Sequence, residues 1–286
     1  MNELAQQGCA RHARWLLLIG LGLAALSSAR FAEAQDRYPA VPLITNNPYF
    51  SIWSMADHLT DINTRHWSGL DQPLIGIARI DGVAYRYMGL DPRQVPVMQQ
   101  TSLQVTPLHT TYTFEKAGVR LEVRFFSPAL PRDLELLSRP VNYLTWNVSS
   151  SDGRAHSVDL FLDVSPLVAV NTGDQDVVWG RSKLPGMDVL RVGSTEQRVL
   201  SRGGDNLRID WGYFYLAVPN QPGTTLSTAF KAVPAFIATG SLPQGDDLDM
   251  PRQPRTQAAH LAAAFHMDVS TTGPQSRHVL LAYDDN

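Results

Sequence analysis

The chain has 286 residues, of which 44% are hydrophobic and 18% are charged, and its formal net charge is −3. This composition is typical of a globular protein with enough apolar residues for one large domain or two smaller ones. The slightly negative charge argues against nucleic acid or an anionic membrane as a partner, because both attract basic proteins.

Residues 1–34 have the organisation of a secretory signal peptide. Arg11 and Arg14 precede the apolar run Trp15–Ala29, and Ala32–Ala34 follows it as a small-x-small cleavage site. The run is shorter than the roughly 20 residues that cross a membrane comfortably. We therefore expect an exported protein, periplasmic or secreted, with no membrane attachment after cleavage. An uncleaved anchor is the alternative.

Cysteine usage limits the chemistry of the remaining chain. Cys9 is the single cysteine and precedes the apolar run, so the mature protein would contain none. We therefore expect its core to stabilise it without disulfides, and a thiol nucleophile is excluded.

The stretch from His66 to Gly89 predicts a β-hairpin. Asp81-Gly82 separates two runs that can pair, and Asp-Gly favours a type I′ turn because glycine accepts a positive φ. The register expected from this turn pairs residue 80 with 83, 78 with 85, and 76 with 87.

Apolar and polar residues alternate through much of the remaining chain, which is typical of strands with one buried face. Hairpins are expected over residues 112–123, turning at 116–118, and 142–164, turning at 151–154. Further strands are expected over 188–192, 208–218, 225–230, 256–270 and 277–283, and loops over 180–186, 219–223 and 240–254. The 256–270 stretch is alanine-rich, which favours a helix, but its strict alternation favours a strand.

This pattern predicts an all-β fold, a large antiparallel β-sandwich preceded by a short amino-terminal segment with a β-hairpin.

Sequence motifs for catalysis are not evident, since G-x-S-x-G, H-E-x-x-H and P-loop patterns are missing. Asp57, His58, Asp61 and His66 are metal-ligand types, but their spacing matches no regular ligand scheme. We therefore expect structural hydrogen bonds there, with no metal and no cofactor. Asp159 and Asp163 lie on the polar face of a predicted strand, where we expect solvated side chains.

Several short motifs carry a family resemblance. The stretches VPLITNNPYFSIWSMADHLTD (residues 41–61) and HWSGLDQPLIGIARIDGVAYRYMG (residues 66–89), with parts of 120–146 and 279–285, resemble the glutaminase A family. Its members are secreted proteins described as hydrolysing L-glutamine to L-glutamate and ammonia. The likeness divides the chain into a glutaminase-like amino-terminal segment, 35–90, and a glutaminase-like β-sandwich of super-sandwich type, 91–286.

The resemblance implies that the catalytic groups belong to a helical domain that follows the sandwich, beyond residue 286. We therefore expect a truncated, non-catalytic region, with its partner a helical catalytic domain or a separate chain. A small amide would be the substrate of the intact protein, and its catalytic residues have no matching positions here. The residues expected to form a docking surface, or the rim of a site completed by that partner, are Trp53, Asp57, His58, His66 and Trp67.

Two other interpretations remain open. A carbohydrate-active module would be favoured by Trp179 or Trp211 exposed on a concave face beside carboxylates. A free-standing secreted binding domain would be favoured by a sandwich without an exposed apolar patch.

Overall fold

The computed structural model describes residues 38–285, which pack as one compact unit. The predicted signal peptide lies outside these residues. Sixteen strands account for most of the regular structure within 38–285, together with two short helices and a 3₁₀ turn at Pro166–Ala169. No helix in this part of the chain is long and apolar enough to cross a bilayer.

The elements follow one another along the chain with short connections. The strands are β1 (Val41–Thr45), β2 (Ser51–Ser54), β3 (Arg65–His66), β4 (Leu74–Ile80), β5 (Val83–Met88), β6 (Gln99–Val105), β7 (His109–Lys116), β8 (Val119–Phe126), β9 (Val141–Ser150), β10 (His156–Val164), β11 (Val177–Leu184), β12 (Met187–Ser194), β13 (Tyr213–Pro219), β14 (Thr224–Ala229), β15 (His260–Val269) and β16 (Gln275–Asp284). The helices are α1 (Leu134–Leu137) and α2 (Ala232–Thr239).

Two large antiparallel sheets form a sandwich, which confirms the predicted fold class. One sheet has eight strands in the order β11-β12-β13-β16-β9-β8-β7-β6, and the other has five in the order β14-β15-β10-β4-β5. A small sheet, β1-β2-β3, packs against the same core. Aromatic side chains meet between the sheets, for example Trp146 and Phe265, whose ring centroids are 5.5 Å apart.

The alanine-rich stretch forms strand β15, as its alternation predicts. Leu261 and Phe265 face the main core, while Ala262 and Ala264 face α2 on the outer side of the five-stranded sheet. Phe236 of α2 stacks on Phe161 of that sheet at 4.7 Å. The small alanine side chains therefore leave room for a helix that the sequence pattern did not predict.

The hairpin at Asp81-Gly82 forms with φ values of 48° and 88° at the turn. Residues 80 with 83 and 78 with 85 pair as predicted, but an irregularity between Gly76 and Ile77 places Gly76 opposite Met88 instead of Tyr87. Strand β4 also pairs with β10, so the hairpin forms the edge of the five-stranded sheet.

The predicted hairpin over residues 142–164 is wrong. Strand β9 belongs to the eight-stranded sheet and β10 to the five-stranded sheet, so the connection between them crosses the sandwich. Two strands that face one core from opposite sheets have the same alternation as two paired strands, and the sequence pattern cannot distinguish them.

Two boundaries also differ from the sequence-based prediction. The stretch expected as a loop at 180–186 largely belongs to β11, and the strand expected from residue 208 begins at Tyr213. The first difference places polar, glycine-containing sequence next to a strand partner, since β11 pairs along its full length with β12.

The prediction of solvated Asp159 and Asp163 is wrong. Strand β10 lies in the middle of its sheet and both faces are covered, so the Asp163 side chain is only 2% exposed and its Oδ1 lies 2.6 Å from Nδ1 of His260. Asp159 lies between Arg79 of β4 and His266 of β15, and its Oδ1 is 2.7 Å from Nδ1 of His266. These carboxylates are thus neutralised by cross-strand partners.

Candidate functional site

A shallow apolar recess of about 400 Å³ opens beside the small sheet. Its lining residues are Thr45, Asn46, Asn47, Pro48, Ser51, Trp53 and Trp67. The recess exists because the chain turns sharply between β1 and β2, where Oδ1 of Asn47 accepts hydrogen bonds from the backbone N–H groups of Tyr49 and Phe50, both at 2.9 Å.

The side chains of His66 and Trp67 stabilise this turn by hydrogen bonds to the carbonyl oxygen of Pro48. Nε2 of His66 lies 3.0 Å and Nε1 of Trp67 lies 2.6 Å from the oxygen of Pro48. That oxygen can only accept, so Nε2 of His66 carries a hydrogen and Nδ1 accepts from the Ser68 hydroxyl at 2.8 Å. Both ring nitrogens of His66 are therefore used in building the recess.

Burial controls the ionisation of His66, which is 0% exposed. Desolvation lowers its pKa to about 4, the bond to Pro48 opposes this, and the positive charge of Arg208 lowers it further. His66 is therefore neutral near pH 7 and acts as a structural donor.

The two predicted tryptophans lie in the same recess. Nε1 of Trp53 donates to the Ser51 hydroxyl at 2.6 Å, and its ring is partly buried. Trp67 remains 46% exposed although its Nε1 is bonded. An anchored but exposed indole of this kind is typical of contact surfaces, because it offers a large apolar area that is already ordered.

Asp57 and His58 belong to a different loop and do not line the recess. Nδ1 of His58 lies 3.1 Å from Oδ2 of Asp61, and the loop is fixed by Gln100 of β6, which bonds the carbonyl oxygen of Asp57 and the backbone N–H of Leu59. The structure thus brings Trp53, His66 and Trp67 together and separates Asp57 and His58 from them. Within residues 38–285, no group of three or more His, Cys, Asp or Glu residues is placed to hold a metal ion.

A second, larger cavity of about 700 Å³ lies between β14, β15 and the 240–245 loop. Asp159, Asp188, Arg181 and His266 give it a polar, charged lining. Arg181 is held by a bidentate ion pair with Asp246, at 2.8 and 2.9 Å, which also fixes the loop. The sequence did not reveal this cavity, because Asp159 and His266 are 107 residues apart and meet only across the sheet.

Replacing His66 with glutamine is expected to make the free energy of unfolding fall less steeply as the pH is lowered. The folded pKa of about 4 lies below the usual 6.5, so the unfolded state binds more protons between these values and stability falls as pH falls. This effect amounts to about 3 kcal/mol between pH 8 and pH 4. Urea unfolding of wild type and His66→Gln over that range measures the slope.

His156→Gln serves as a control, because its effect on the pH dependence of stability should have the opposite sign. Hydrogen bonds that His156 donates to Asp81 and Asp152 raise the pKa of His156, so its contribution to stability is present below pH 6.5 and is lost as pH rises through the folded value. Equal slopes for wild type and His66→Gln would contradict the buried neutral state of His66.

Comparison with known proteins gives two family matches and one curated relative. Residues 108–286 match a domain of unknown function, DUF5127, and residues 23–99 match another, DUF4964. Glutaminase A from Aspergillus oryzae is 28% identical over 238 residues, which is 79% of this chain. The chain spans about a third, 34%, of the length of that relative.

Solved structures with similar folds are distant in sequence. A putative kojibiose phosphorylase from human microbiome has a TM-score of 0.46 at 8% identity, covering 86% of this chain and 30% of its own. Heparan sulfate lyase HepC from Pedobacter heparinus has a TM-score of 0.34 at 8% identity, and the match covers 68% of this chain and 22% of the lyase. A galactose mutarotase related enzyme from Lactobacillus acidophilus has a TM-score of 0.36 at 6% identity, and the match covers 86% of this chain and 97% of that enzyme.

The family matches and the curated relative agree with the motifs in residues 41–61 and 66–89. DUF5127 alone covers more than half of the chain, and it begins within the connection that precedes β7. The chain therefore belongs to the DUF5127 family and corresponds to the amino-terminal region of a glutaminase-like protein.

Proposed function

We propose that this chain is the non-catalytic, amino-terminal scaffold of an exported glutaminase-like amidohydrolase. The observation that carries the proposal is the 28% identity with glutaminase A over most of the chain, which spans about a third of that relative. In the intact protein, L-glutamine would be hydrolysed to L-glutamate and ammonia at a site completed by a helical catalytic domain, on the same polypeptide or on a separate chain. Export to the periplasm or medium follows from the signal-like residues 1–34.

The recess is the surface that we assign to this partner. Its apolar lining and the 46% exposed Trp67 suit a contact that buries aromatic surface. The histidine beside it supports a scaffold role, because both nitrogens of His66 are occupied by Pro48 and Ser68.

The carbohydrate-active alternative receives no support from the tryptophans that would favour it. Trp179 is 4% exposed and donates from Nε1 to the carbonyl oxygen of Asp247 at 2.6 Å. Trp211 is 6% exposed and packs edge-on against Tyr49, with ring centroids 5.4 Å apart. A free-standing binding domain is the remaining alternative, and the experiment below distinguishes it from a scaffold.

The proposal is tested by ammonia release from glutamine. The full chain is assayed alone and after addition of the rest of the polypeptide of the Aspergillus relative. We expect no activity from the chain alone and measurable activity from the mixture. Trp67→Ala should lower the activity of the mixture by about thirtyfold, because a central tryptophan commonly contributes about 2 kcal/mol or more to a contact.

Leu134→Ala is the matched control, since Leu134 is a 73% exposed apolar residue on α1 and should leave the mixture unchanged. Activity of the chain alone would overturn the scaffold role. A mixture that stays inactive, in which the two parts do not associate, would favour the free-standing binding domain.

A further inference from the structure

The charged cavity beside β14 is lined by two residues that each have a buried oxygen atom without a hydrogen-bond partner. The atoms are Oδ1 of Asp188, on β12, and Oγ1 of Thr224, the first residue of β14, and the cavity that both residues line has a volume of about 700 Å³. Buried polar atoms normally have a partner, because leaving them unpaired costs free energy. Their place in one cavity points to a bound molecule that supplies the missing hydrogen bonds.

Other charged groups of the lining already have protein partners. The guanidinium of Arg181 binds both carboxylate oxygens of Asp246, at 2.8 and 2.9 Å. Oδ1 of Asp159 lies 2.7 Å from Nδ1 of His266 on the neighbouring strand. These contacts fix the walls of the cavity, and they leave the oxygens of Asp188 and Thr224 as the unpaired atoms.

The unpaired atoms require hydrogen-bond donors from a ligand. A carboxylate oxygen can only accept, and a threonine hydroxyl can accept as well as donate. Lys183, which is directly opposite Asp188 on β11, is exposed, so solvent screens its charge. The carboxylate therefore favours a positively charged donor, because charge-assisted hydrogen bonds are stronger than neutral ones.

Asp188 can present its oxygen to a ligand without a change in the backbone. Asp188 and Thr224 are only partly buried as residues, although the two oxygen atoms are covered. The terminal torsion of an aspartate is broad, so the carboxylate can rotate to turn Oδ1 toward the cavity. Leu226 and Leu242 line the same cavity and offer apolar surface to a short carbon chain.

We propose that this cavity binds a small organic cation with a primary ammonium group, held by Asp188 and Thr224. An ammonium group has three N–H donors and no acceptor, which complements two oxygen acceptors. A quaternary ammonium ion keeps the charge but lacks N–H donors, and a diol has donors without a charge. This site belongs to the sandwich itself and does not require the chain to be part of an amidohydrolase.

The test is calorimetric titration of the full chain at pH 7 and constant ionic strength. Ethanolamine is the primary ammonium probe, choline is the quaternary analogue, and ethylene glycol is the neutral analogue. We expect saturable binding of ethanolamine, with choline and ethylene glycol each binding about tenfold more weakly or less, because each lacks one of the two features that Asp188 recognises.

Asp188→Asn should weaken ethanolamine binding by about tenfold or more, and Thr224→Val by about fivefold, since the second change removes a neutral hydrogen bond. Asp205→Asn is the matched control, because Asp205 is an exposed aspartate outside the cavity lining and its replacement should leave binding unchanged. The Asp188→Asn chain should remain folded, since Oδ1 of Asp188 has no hydrogen bond to lose, and its circular dichroism checks this.

Three results would overturn the proposal: no saturable binding of ethanolamine by the wild type, equally tight binding of choline or ethylene glycol, or unchanged binding by Asp188→Asn. Because the titration does not measure ammonia release, its outcome is separate from that of the activity assay.

Discussion

Replacing Tyr87 with phenylalanine is expected to lower the free energy of unfolding by about 3 kcal/mol. The Tyr87 hydroxyl is buried between the sheets, where it accepts from Nε1 of Trp146 at 2.8 Å and donates to the carbonyl oxygen of Phe161 at 3.0 Å. Removing it would leave a buried donor and a buried acceptor unpaired while the ring still fills its space. Chemical denaturation at pH 7 measures the loss.

Tyr85→Phe is the control for this change. Tyr85 is on the same strand but only partly buried, and its ring contacts Lys116 instead of an inter-sheet partner. We expect a change below about 0.5 kcal/mol there, as for surface substitutions. If Tyr87→Phe were as stable as wild type, the bonds to Trp146 and Phe161 would not be important for joining the sheets.

Replacing Gly76 with alanine is expected to cost about 3 kcal/mol, at the upper end of overpacking effects. A Cβ at this position would lie 2.2 Å from Cε2 of Tyr87, because the tyrosine ring crosses over β4 at the place where β4 has no side chain. The hydrogen bonds of the Tyr87 hydroxyl hold the ring there, so it cannot move aside without breaking them. Thermal and urea unfolding of Gly76→Ala measure the cost.

Gly180→Ala is the matched control, since Gly180 also lies in a strand but its added Cβ would be 3.9 Å from the nearest atom, in Arg191. It should be neutral or slightly stabilising. A double mutant, Gly76→Ala with Tyr87→Leu, should lose less than the sum of the two changes, because the clash is gone. Full additivity would show that the ring contact is not the source of the cost.

The amino-terminal cluster was only partly predictable. Trp53 and Trp67 were expected to share one docking surface, and the structure places both in the recess. Asp57 and His58 share their sequence neighbourhood but not their environment, since Gln100 of a distant strand holds their loop. Arg208 was missed altogether, because a single arginine in a polar stretch gives no sign of burial.

The carboxylates illustrate the same limit in the sandwich. The sequence placed Asp159 and Asp163 correctly on one face of a strand, opposite the residues of the main core. It could not reveal that this face is covered as well, because the partners His260 and His266 lie about 100 positions further along the chain. Burial of a polar face depends on which strands become neighbours.

The sequence by itself determined the all-β class, the Asp81-Gly82 turn and the strand character of β15, because these depend on local conformation and on alternation with period two. Tertiary structure alone decided that β9 and β10 belong to different sheets, that α2 covers the outer face, and that Arg208 is buried. The physical reason is that alternation records which side chains avoid water, whereas strand order and charge pairing arise from contacts between residues far apart in the chain.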